Sequence, residues 1–308
     1  PQVAEWAERS LLTPLDELLA DYLAEQGRTL QGLQDEFFEP CWKQCVYRDR
    51  IWALSFIVDP NFAFFWNKTA IRQAIKDGDV PPGAIDVDEP PRTIEDLNRY
   101  NDLLTKRDDR GRLVRIGYVP WGAYGNANSL FTWGWAFGGQ FYDDQKRRIT
   151  ANDRGVVAAL EWMCSYADKY DVQRIVALQS SFGTLDLDPF ILGKQVMSLY
   201  HISGVENLDR YAPDLDYGVA PIPSPPGGEA NSSWVGGWTM AIPATVSPAK
   251  RRAALEFILW SCATAEGSSF ALRTKDLFPA WKVSAFYEES IKDWRLVHFV
   301  QILRLSKH

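Results

Sequence analysis

The sequence predicts an α/β fold, and three observations carry that prediction. Short apolar runs that suit strands alternate along the chain with segments of helical periodicity. The chain has 308 residues, which suits one large or two medium domains. Hydrophobic residues make up 46% and charged residues 24% of the chain, as in an ordinary soluble globular protein.

The first half of the chain contains short helices and two adjacent apolar strands. Residues 51–58 form a near-continuous apolar run, which fits a strand covered on both faces. Thr93 and Asp96 have the spacing of a capping box, so a helix is predicted to begin there. In order, the predicted elements are helices up to Gly27, strands over 51–58 and 62–66, a helix over 69–76, a helix after Thr93 and a strand over 113–119.

The second half begins with the clearest helix of the chain. Asn152 or Asp153 is predicted to cap it, because apolar residues recur every three or four positions from Val156 to Tyr170. Ser247 and Pro248 predict another helix start, since proline is favoured at the first helical position. The remaining predicted elements are a hairpin over 141–150, strands over 193–200, 217–223 and 239–243, and a helix from Tyr287 to the end.

One stretch, residues 117–140, contains no Asp, Glu, Lys or Arg. A membrane span needs about 20 predominantly apolar residues, and proline, glycine and amide side chains interrupt this stretch. Its aromatic side chains offer flat apolar faces, and its amides offer directional hydrogen bonds. That mixture suits a polar, uncharged ligand with apolar faces, such as a sugar, and burial in a core helix is the alternative. The residues concerned include Trp121, Tyr124, Asn126, Trp133 and Trp135.

Composition narrows the choice of partners. The net charge is −7 and basic residues form only short groups, which argues against nucleic acid and anionic membranes. The 13 Trp residues exceed ordinary usage and suggest aromatic contacts with a ligand. No phosphate-binding loop, dinucleotide fingerprint or Cys-x-x-Cys spacing occurs, and the three histidines are scattered. We therefore expect neither a cofactor nor a metal.

The four cysteines are too few for a disulfide scaffold. Cys41 and Cys45 could form a disulfide if their Cα atoms lie within about 7 Å. Cys164 and Cys262 fall in apolar helical patterns and are predicted to be buried thiols.

Five motifs occur in one order between about residue 4 and residue 300. They are RIWALSFIVD at 50–59 with FFWNK at 64–68, PRTIEDL at 91–97, GKQVM at 193–197, YGVAPIP at 217–223, and GGWTMAIP at 236–243 with the helix over 250–260. Together they resemble the extracellular solute-binding proteins of ABC sugar importers (family 1, maltose-binding-protein-like).

This resemblance implies a two-lobed periplasmic-binding-protein-like fold (type II). Each lobe would be a sheet flanked by helices, with the ligand in the cleft and hinge closure around it. Lobe 1 would comprise residues 1–57 and 223–275, and lobe 2 residues 58–222 and 276–308. The family's opening strand and helix and its C-terminal end have no counterpart here, so lobe 1 is expected to be incomplete at its N-terminus.

The resemblance also implies a function. The protein would be an extracytoplasmic substrate-binding protein, periplasmic or anchored to the cell surface by lipid, that delivers a neutral carbohydrate to the permease subunits of an ABC importer. We expect a monomer without catalytic activity. The family's binding positions correspond to Asp59, Trp66, Trp121, Tyr124, Asn126, Trp133, Trp135, His201, Ser203, Trp234, Gly237 and Trp238.

Two other functions stay open at this point. A glycoside hydrolase needs two carboxylates about 5 to 10 Å apart, and Asp59, Asp186 and Asp188 are the candidates. A receptor for peptides or anions usually presents Arg, Lys or a helix N-terminus to its ligand. The uncharged stretches disfavour the second function, and the absence of a Gly-x-Ser-x-Gly motif removes one class of hydrolase.

Overall fold

The computed structural model describes residues 2–122, 126–143, 145–180, 188–229, 233–269 and 278–305, without the side chains of 126 and 127. The chain divides into two compact units. Unit 1 comprises Pro1–Asn61 and Trp234–His308, and unit 2 comprises Phe62–Ser233. In the described residues no helix is both long enough and apolar enough to cross a membrane.

Helices are distributed over both units. In chain order, those of the described residues are α1 (Gln2–Glu8), α2 (Asp16–Glu25), α3 (Leu30–Asp35), α4 (Glu39–Lys43), α5 (Lys68–Lys76), α6 (Ile94–Leu104), α7 (Asn126–Ala136), α8 (Arg154–Tyr170), α9 (Val172–Ser180), α10 (Ser203–Tyr211), α11 (Pro248–Ala263), α12 (Ala265–Ser268), α13 (Phe286–Ser290) and α14 (Leu296–Leu305).

The strands are short and pair antiparallel in every named sheet of the described residues. They are β1 (Val46–Tyr47), β2 (Arg50–Ile51), β3 (Ala53–Pro60), β4 (Ala63–Asn67), β5 (Lys106–Arg107), β6 (Leu113–Arg115), β7 (Tyr142–Asp143), β8 (Arg148–Ile149), β9 (Met197–Tyr200), β10 (Tyr217–Ala220), β11 (Val235–Ala241) and β12 (Phe278–Pro279).

Unit 1 is built on β3, which lies between β11 and β12 in a three-stranded sheet. Ala53, Leu54 and Val58 are fully buried in β3. Helix α11 packs on this strand and buries Leu255 and Leu259. The apolar run over 51–58 predicted a strand covered by other elements, and the structure confirms that strand.

The division into units differs from the lobe boundaries expected from the sequence. The first crossing lies between Asn61 and Phe62, and the return lies between Ser233 and Trp234, later than the expected residue 223. Residues 278–305 belong to unit 1, although the sequence placed 276–308 in the second lobe. The reason is that β12 pairs with β3 and α14 packs against the same strand.

Unit 2 is built on β4, whose five residues are all buried between β10 and β9. The ring of Phe65 stacks on Tyr217 at 5.8 Å between centroids and meets Tyr200 edge-on at 5.3 Å. Opposite Trp66 in the ladder stands Gly218, where a Cβ would lie 2.1 Å from the indole ring. The unit therefore has an aromatic core with a glycine where the largest ring needs room.

The local predictions are confirmed where a side chain fixes the backbone. Thr93 accepts a hydrogen bond from the N–H of Asp96, and Asp153 accepts one from Gly155, so both predicted caps begin their helices. Where no capping side chain marks an end, the elements predicted from the sequence are longer than the observed ones. Within the strand predicted over 193–200, only β9 (Met197–Tyr200) is a strand. The single helix predicted from Tyr287 onward is instead two helices, α13 and α14.

All four cysteines are free thiols. Cys41, Cys45 and Cys262 are buried in unit 1, and burial raises the pKa of Cys41 to about 12. Cys164 is exposed on α8, so the prediction that it is buried is wrong. The apolar face of that helix contains the preceding residue, Met163, and Cys164 points away from it.

Asn67 has two roles, which predict a large cost for its loss. Its side-chain oxygen caps α5 by accepting from the N–H of Ala70 at 2.7 Å, and its amide donates to the Phe190 carbonyl at 2.7 Å. We expect Asn67→Ala to lower the free energy of unfolding by about 2 to 4 kcal/mol, because a cap and a buried hydrogen bond are both lost.

Thr93→Ala is the matched control, since the Thr93 side chain caps a helix by accepting from the N–H of Asp96, three residues away. It should cost about 1 kcal/mol in the same urea titration. Equal losses for the two variants would show that the bond from Asn67 to Phe190 does not stabilise the protein.

Candidate functional site

Unit 2 contains a cavity of about 430 Å³ that combines aromatic and polar side chains. Its aromatic lining is Phe62, Tyr118, Trp121, Phe190 and Tyr200. Its polar lining is Gln179, Asp188, Gln195, Ser198, His201 and Asn207. None of the described residues that line the cavity is Lys or Arg. Concave sites with apolar walls and a few polar groups are the usual form of small-molecule sites.

The loop that carries Trp121 is held by buried hydrogen bonds. The side-chain oxygen of Asn101 accepts from the N–H of Tyr118 at 2.6 Å. At the preceding residue, Gly117, a Cβ would lie 2.6 Å from the Cα of Asn101, so only glycine allows this approach. The indole N–H of Trp133 donates to the Pro120 carbonyl at 3.1 Å. These contacts fix the backbone that leads into Trp121.

Tyr200, another aromatic residue of the cavity wall, is fixed by its ring and by its hydroxyl. The ring meets Phe65 and Phe190 edge-on, at 5.3 and 5.5 Å between centroids. The hydroxyl donates to both carboxylate oxygens of Asp188 at 2.8 Å. Burial, together with the adjacent carboxylate of Asp188, raises the pKa of Tyr200 well above its usual range. The phenol therefore stays a neutral donor at physiological pH.

Three further polar groups of the lining lie on β9 or next to it: Gln195, Ser198 and His201. The amide nitrogen of Gln195 donates to the Met197 carbonyl at 3.2 Å and lies 3.3 Å from the hydroxyl of Ser198. His201 follows β9, and its Nδ1 lies 2.9 Å from the hydroxyl of Ser203, the first residue of α10. The cavity thus offers amide, hydroxyl and imidazole groups for hydrogen bonding.

Phe62 has a left-handed backbone conformation at the cavity wall. Its φ angle is 57°, and its side chain is buried. This conformation costs a non-glycine residue about 1 to 2 kcal/mol. Strained residues of this kind cluster at ligand sites and hinges. Phe62 is also the first residue of unit 2.

Unit 1 contains a separate groove of about 590 Å³ with a mostly apolar lining. The large apolar residues in it are Val3, Trp6, Leu12, Trp238, Met240, Phe257 and Ile258. Trp238 is 69% exposed and lies on β11, an outer strand of the described sheet. Gly237 precedes it, where a Cβ would lie 2.4 Å from the carbonyl oxygen of Ile57. This groove has few polar groups for a hydroxyl-rich ligand.

The structure brings together some of the residues predicted from the sequence and separates others. Trp121 and His201 line the cavity of unit 2, and Gly237 and Trp238 line the groove of unit 1. The predicted residues that line neither feature are Asp59, Trp66, Trp133, Trp135, Ser203 and Trp234. Tyr124 lies outside the described residues, and Asn126 begins α7 with its side chain likewise not described.

Two of the predicted tryptophans are core residues. Trp133 is 0% exposed and packs edge-on against Trp162 at 4.7 Å between ring centroids. Trp66 is 5% exposed, and its indole N–H donates to the Val87 carbonyl at 2.9 Å. Burial leaves no ring face for a ligand, so we exclude both from the proposed site. Trp135 is half-buried and stacks on Phe131 at 5.7 Å.

Several lining residues were not predicted from the sequence as binding residues. Ser198 and Tyr200 alternate with the buried Met197 and Leu199 along β9, and this period of two was a usable signal. Gln179 and Asn207 lie on α9 and α10 and had no distinguishing pattern. Among the described residues, no group of three or more His, Cys, Asp or Glu could hold a metal ion.

The chain matches a family model described as bacterial extracellular solute-binding protein over residues 1–296. It therefore belongs to that family. The family consists of solute-binding proteins and not of enzymes, which agrees with the prediction from the sequence. A search of curated protein sequences found no match.

Solved structures confirm the predicted fold. CpMnBP1 with mannotriose bound superposes with a TM-score of 0.77 at 23% identity, over 99% of this chain and 72% of that one. An ABC transporter solute-binding protein from Thermotoga lettingae, bound with α-D-tagatose, superposes with a TM-score of 0.71 at 17% identity. The match covers 99% of this chain and 71% of that one. Maltose-bound MalE3 of T. maritima superposes with a TM-score of 0.66 at 20% identity, over 99% of this chain and 72% of that one. At these identities the likeness shows the two-lobed α/β fold alone.

The contrast between Trp133 and Trp238 predicts opposite effects on stability. Trp133→Ala should cost about 3 to 5 kcal/mol, because it empties the core and leaves the Pro120 carbonyl without its donor. Trp238→Ala should change stability by less than about 1 kcal/mol, because the side chain is mostly exposed. Urea unfolding of both variants measures the difference, and a large loss for Trp238→Ala would show that the groove is part of a packed core.

Proposed function

We propose that this protein is an extracytoplasmic substrate-binding protein of an ABC importer that binds a neutral carbohydrate and delivers it to a membrane permease. The observation that carries the proposal is the cavity of unit 2, where aromatic faces, neutral polar groups and one carboxylate surround one space without Lys or Arg in the described lining. A sugar ring offers C–H faces to aromatic rings and hydroxyls to amides and carboxylates.

The relatives support a carbohydrate as the ligand. The three similar structures contain mannotriose, tagatose and maltose. Membership of an extracellular solute-binding family supports a place outside the cytoplasm and a permease partner. We propose further that the protein acts as a monomer, in the periplasm or attached to the membrane by lipid.

The two rival functions have less support. A glycoside hydrolase would need paired carboxylates, and the described lining of the cavity contains one carboxylate, Asp188, which accepts a hydrogen bond from the hydroxyl of Tyr200. Asp186 is outside the described residues. An anion receptor would need cationic groups, which the described lining of the cavity does not contain.

The cavity predicts that Trp121 contributes to carbohydrate affinity. We expect at least one of mannotriose, maltotriose and tagatose to raise the melting temperature of the wild type. Trp121→Ala should then weaken binding of that sugar by about tenfold to a hundredfold, since covering one aromatic face contributes about 1 to 3 kcal/mol. Isothermal titration calorimetry measures the change.

Trp294→Ala is the matched control, because Trp294 is an exposed tryptophan of unit 1 that lines neither the cavity nor the groove. The Trp294→Ala variant should bind the sugar with the same affinity as the wild type. The role expected for Trp238 from the sequence stays a prediction that Trp238→Ala tests in the same titration. If Trp238→Ala abolishes binding while Trp121→Ala leaves it unchanged, the ligand binds the groove of unit 1 and the cavity is the wrong site.

The binding proposal also predicts no turnover. Incubation of the protein with the bound sugar should release no shorter product, because the described lining of the cavity contains one carboxylate and not an acid–base pair. Chromatography of the sugar before and after incubation measures this. Hydrolysis that disappears in Asp188→Ala would establish the enzyme instead.

A further inference from the structure

The cavity of unit 2 contains a single formally charged side chain among its described lining residues, Asp188. Two donors within the protein already contact its carboxylate. The hydroxyl of Tyr200 lies 2.8 Å from both oxygens, and the N–H of Phe190 lies 2.7 Å from Oδ1. Both donors are neutral, and the described lining contains no Lys or Arg that would pair with the carboxylate.

The position of this carboxylate is fixed by the backbone around it. The carbonyl of Pro189 accepts from the N–H groups of Lys194 and Gln195 at 2.7 and 2.9 Å, which closes the turn after Asp188. Tyr200 is held by edge-on packing against Phe65 and Phe190, so its hydroxyl reaches the carboxylate in one orientation. A ligand therefore meets a preformed acceptor that needs little rearrangement.

A carboxylate accepts hydrogen bonds at about four positions and donates none when ionised. Tyr200 and Phe190 supply two protons, which leaves lone pairs for donors from a ligand. Two neighbouring hydroxyls of a sugar can fill them. A carboxylate on the ligand has no proton to donate at neutral pH and would bring a second negative charge into a site without Lys or Arg in its described lining.

We propose that Asp188 is the specificity-determining residue of the cavity and that it selects uncharged, hydroxyl-bearing sugars against acidic sugars. This inference rests on the proposed function and adds the class of sugar and the residue that recognises it. Tyr200 is a positioning residue, because it orients the carboxylate of Asp188. The aromatic walls supply affinity for any sugar ring, whereas the carboxylate distinguishes hydroxyls from acidic groups.

Calorimetric titration with matched pairs of sugars tests the proposal. The probes are mannotriose with the trisaccharide of mannuronic acid, and maltotriose with the trisaccharide of glucuronic acid. The wild type should bind a neutral member at least about tenfold more tightly than its acidic counterpart, since hydrogen bonds to charged groups contribute about 1.5 to 3 kcal/mol. Higher salt should narrow this ratio, because salt screens the repulsion.

Asp188→Asn should weaken binding of the neutral sugar by about tenfold to a hundredfold and reduce the ratio between the neutral and acidic sugars to near one. Tyr200→Phe should weaken the neutral sugar by a smaller factor and keep the ratio, because the charge remains. Asp168→Asn is the matched control, since Asp168 is exposed on α8, does not line the cavity and carries the same charge. It should leave both affinities unchanged.

The outcomes separate this inference from the proposed function. Equal affinities of the wild type for the neutral and acidic sugars, or an unchanged ratio in Asp188→Asn with a wild-type melting temperature, would overturn the inference while carbohydrate binding stands. If the wild type binds no sugar of either kind, the proposed function fails and this inference fails with it. If Asp188→Asn melts early, the salt dependence of the wild-type ratio decides the matter: a ratio that higher salt does not narrow would overturn the inference.

Discussion

Hydrogen bonds from buried polar side chains to loop backbone determine the shape of the cavity in unit 2. Asn101 accepts from Tyr118, Trp133 donates to Pro120, and Asn67 donates to Phe190. In each case the loop residue lines the cavity or adjoins a residue that does. A buried backbone group without a partner costs about 1 to 3 kcal/mol, so each loop has one strongly preferred position. The geometry of the cavity wall therefore depends on the packing of the core side chains that hold these loops.

This arrangement explains why the tryptophans of one uncharged stretch have different roles. Trp121 lies on the loop and reaches the cavity, whereas Trp133 lies on α7 and holds that loop from the core. Both are aromatic residues in the same stretch of sequence, and both affect the site. Only Trp121 can touch a ligand, because Trp133 has no exposed face. A substitution at Trp133 would act on the site through stability.

The sequence predicted the elements well where local physics determines them. The apolar run before Asp59 and the caps at Thr93 and Asp153 gave the right strand and helix starts. It did not predict that residues 278–305 return to unit 1, because β12 pairs with β3 from a distant part of the chain. The candidate binding residues were predicted from their side-chain chemistry. The chemistry of an aromatic side chain does not show whether its ring faces a cavity or the core. The sequence indicates Asp188 only as a candidate carboxylate of a hydrolase.

The distribution of thiols gives the protein a natural point of attachment. Cys41, Cys45 and Cys262 are buried in unit 1, and burial raises the pKa of each thiol, so they stay protonated and shielded. Cys164 is exposed on α8, in the unit that contains the cavity. A maleimide fluorophore added to the folded protein would react at this position and spare the others. The unmodified sequence could thus become an optical sensor for its own ligand without engineered cysteines.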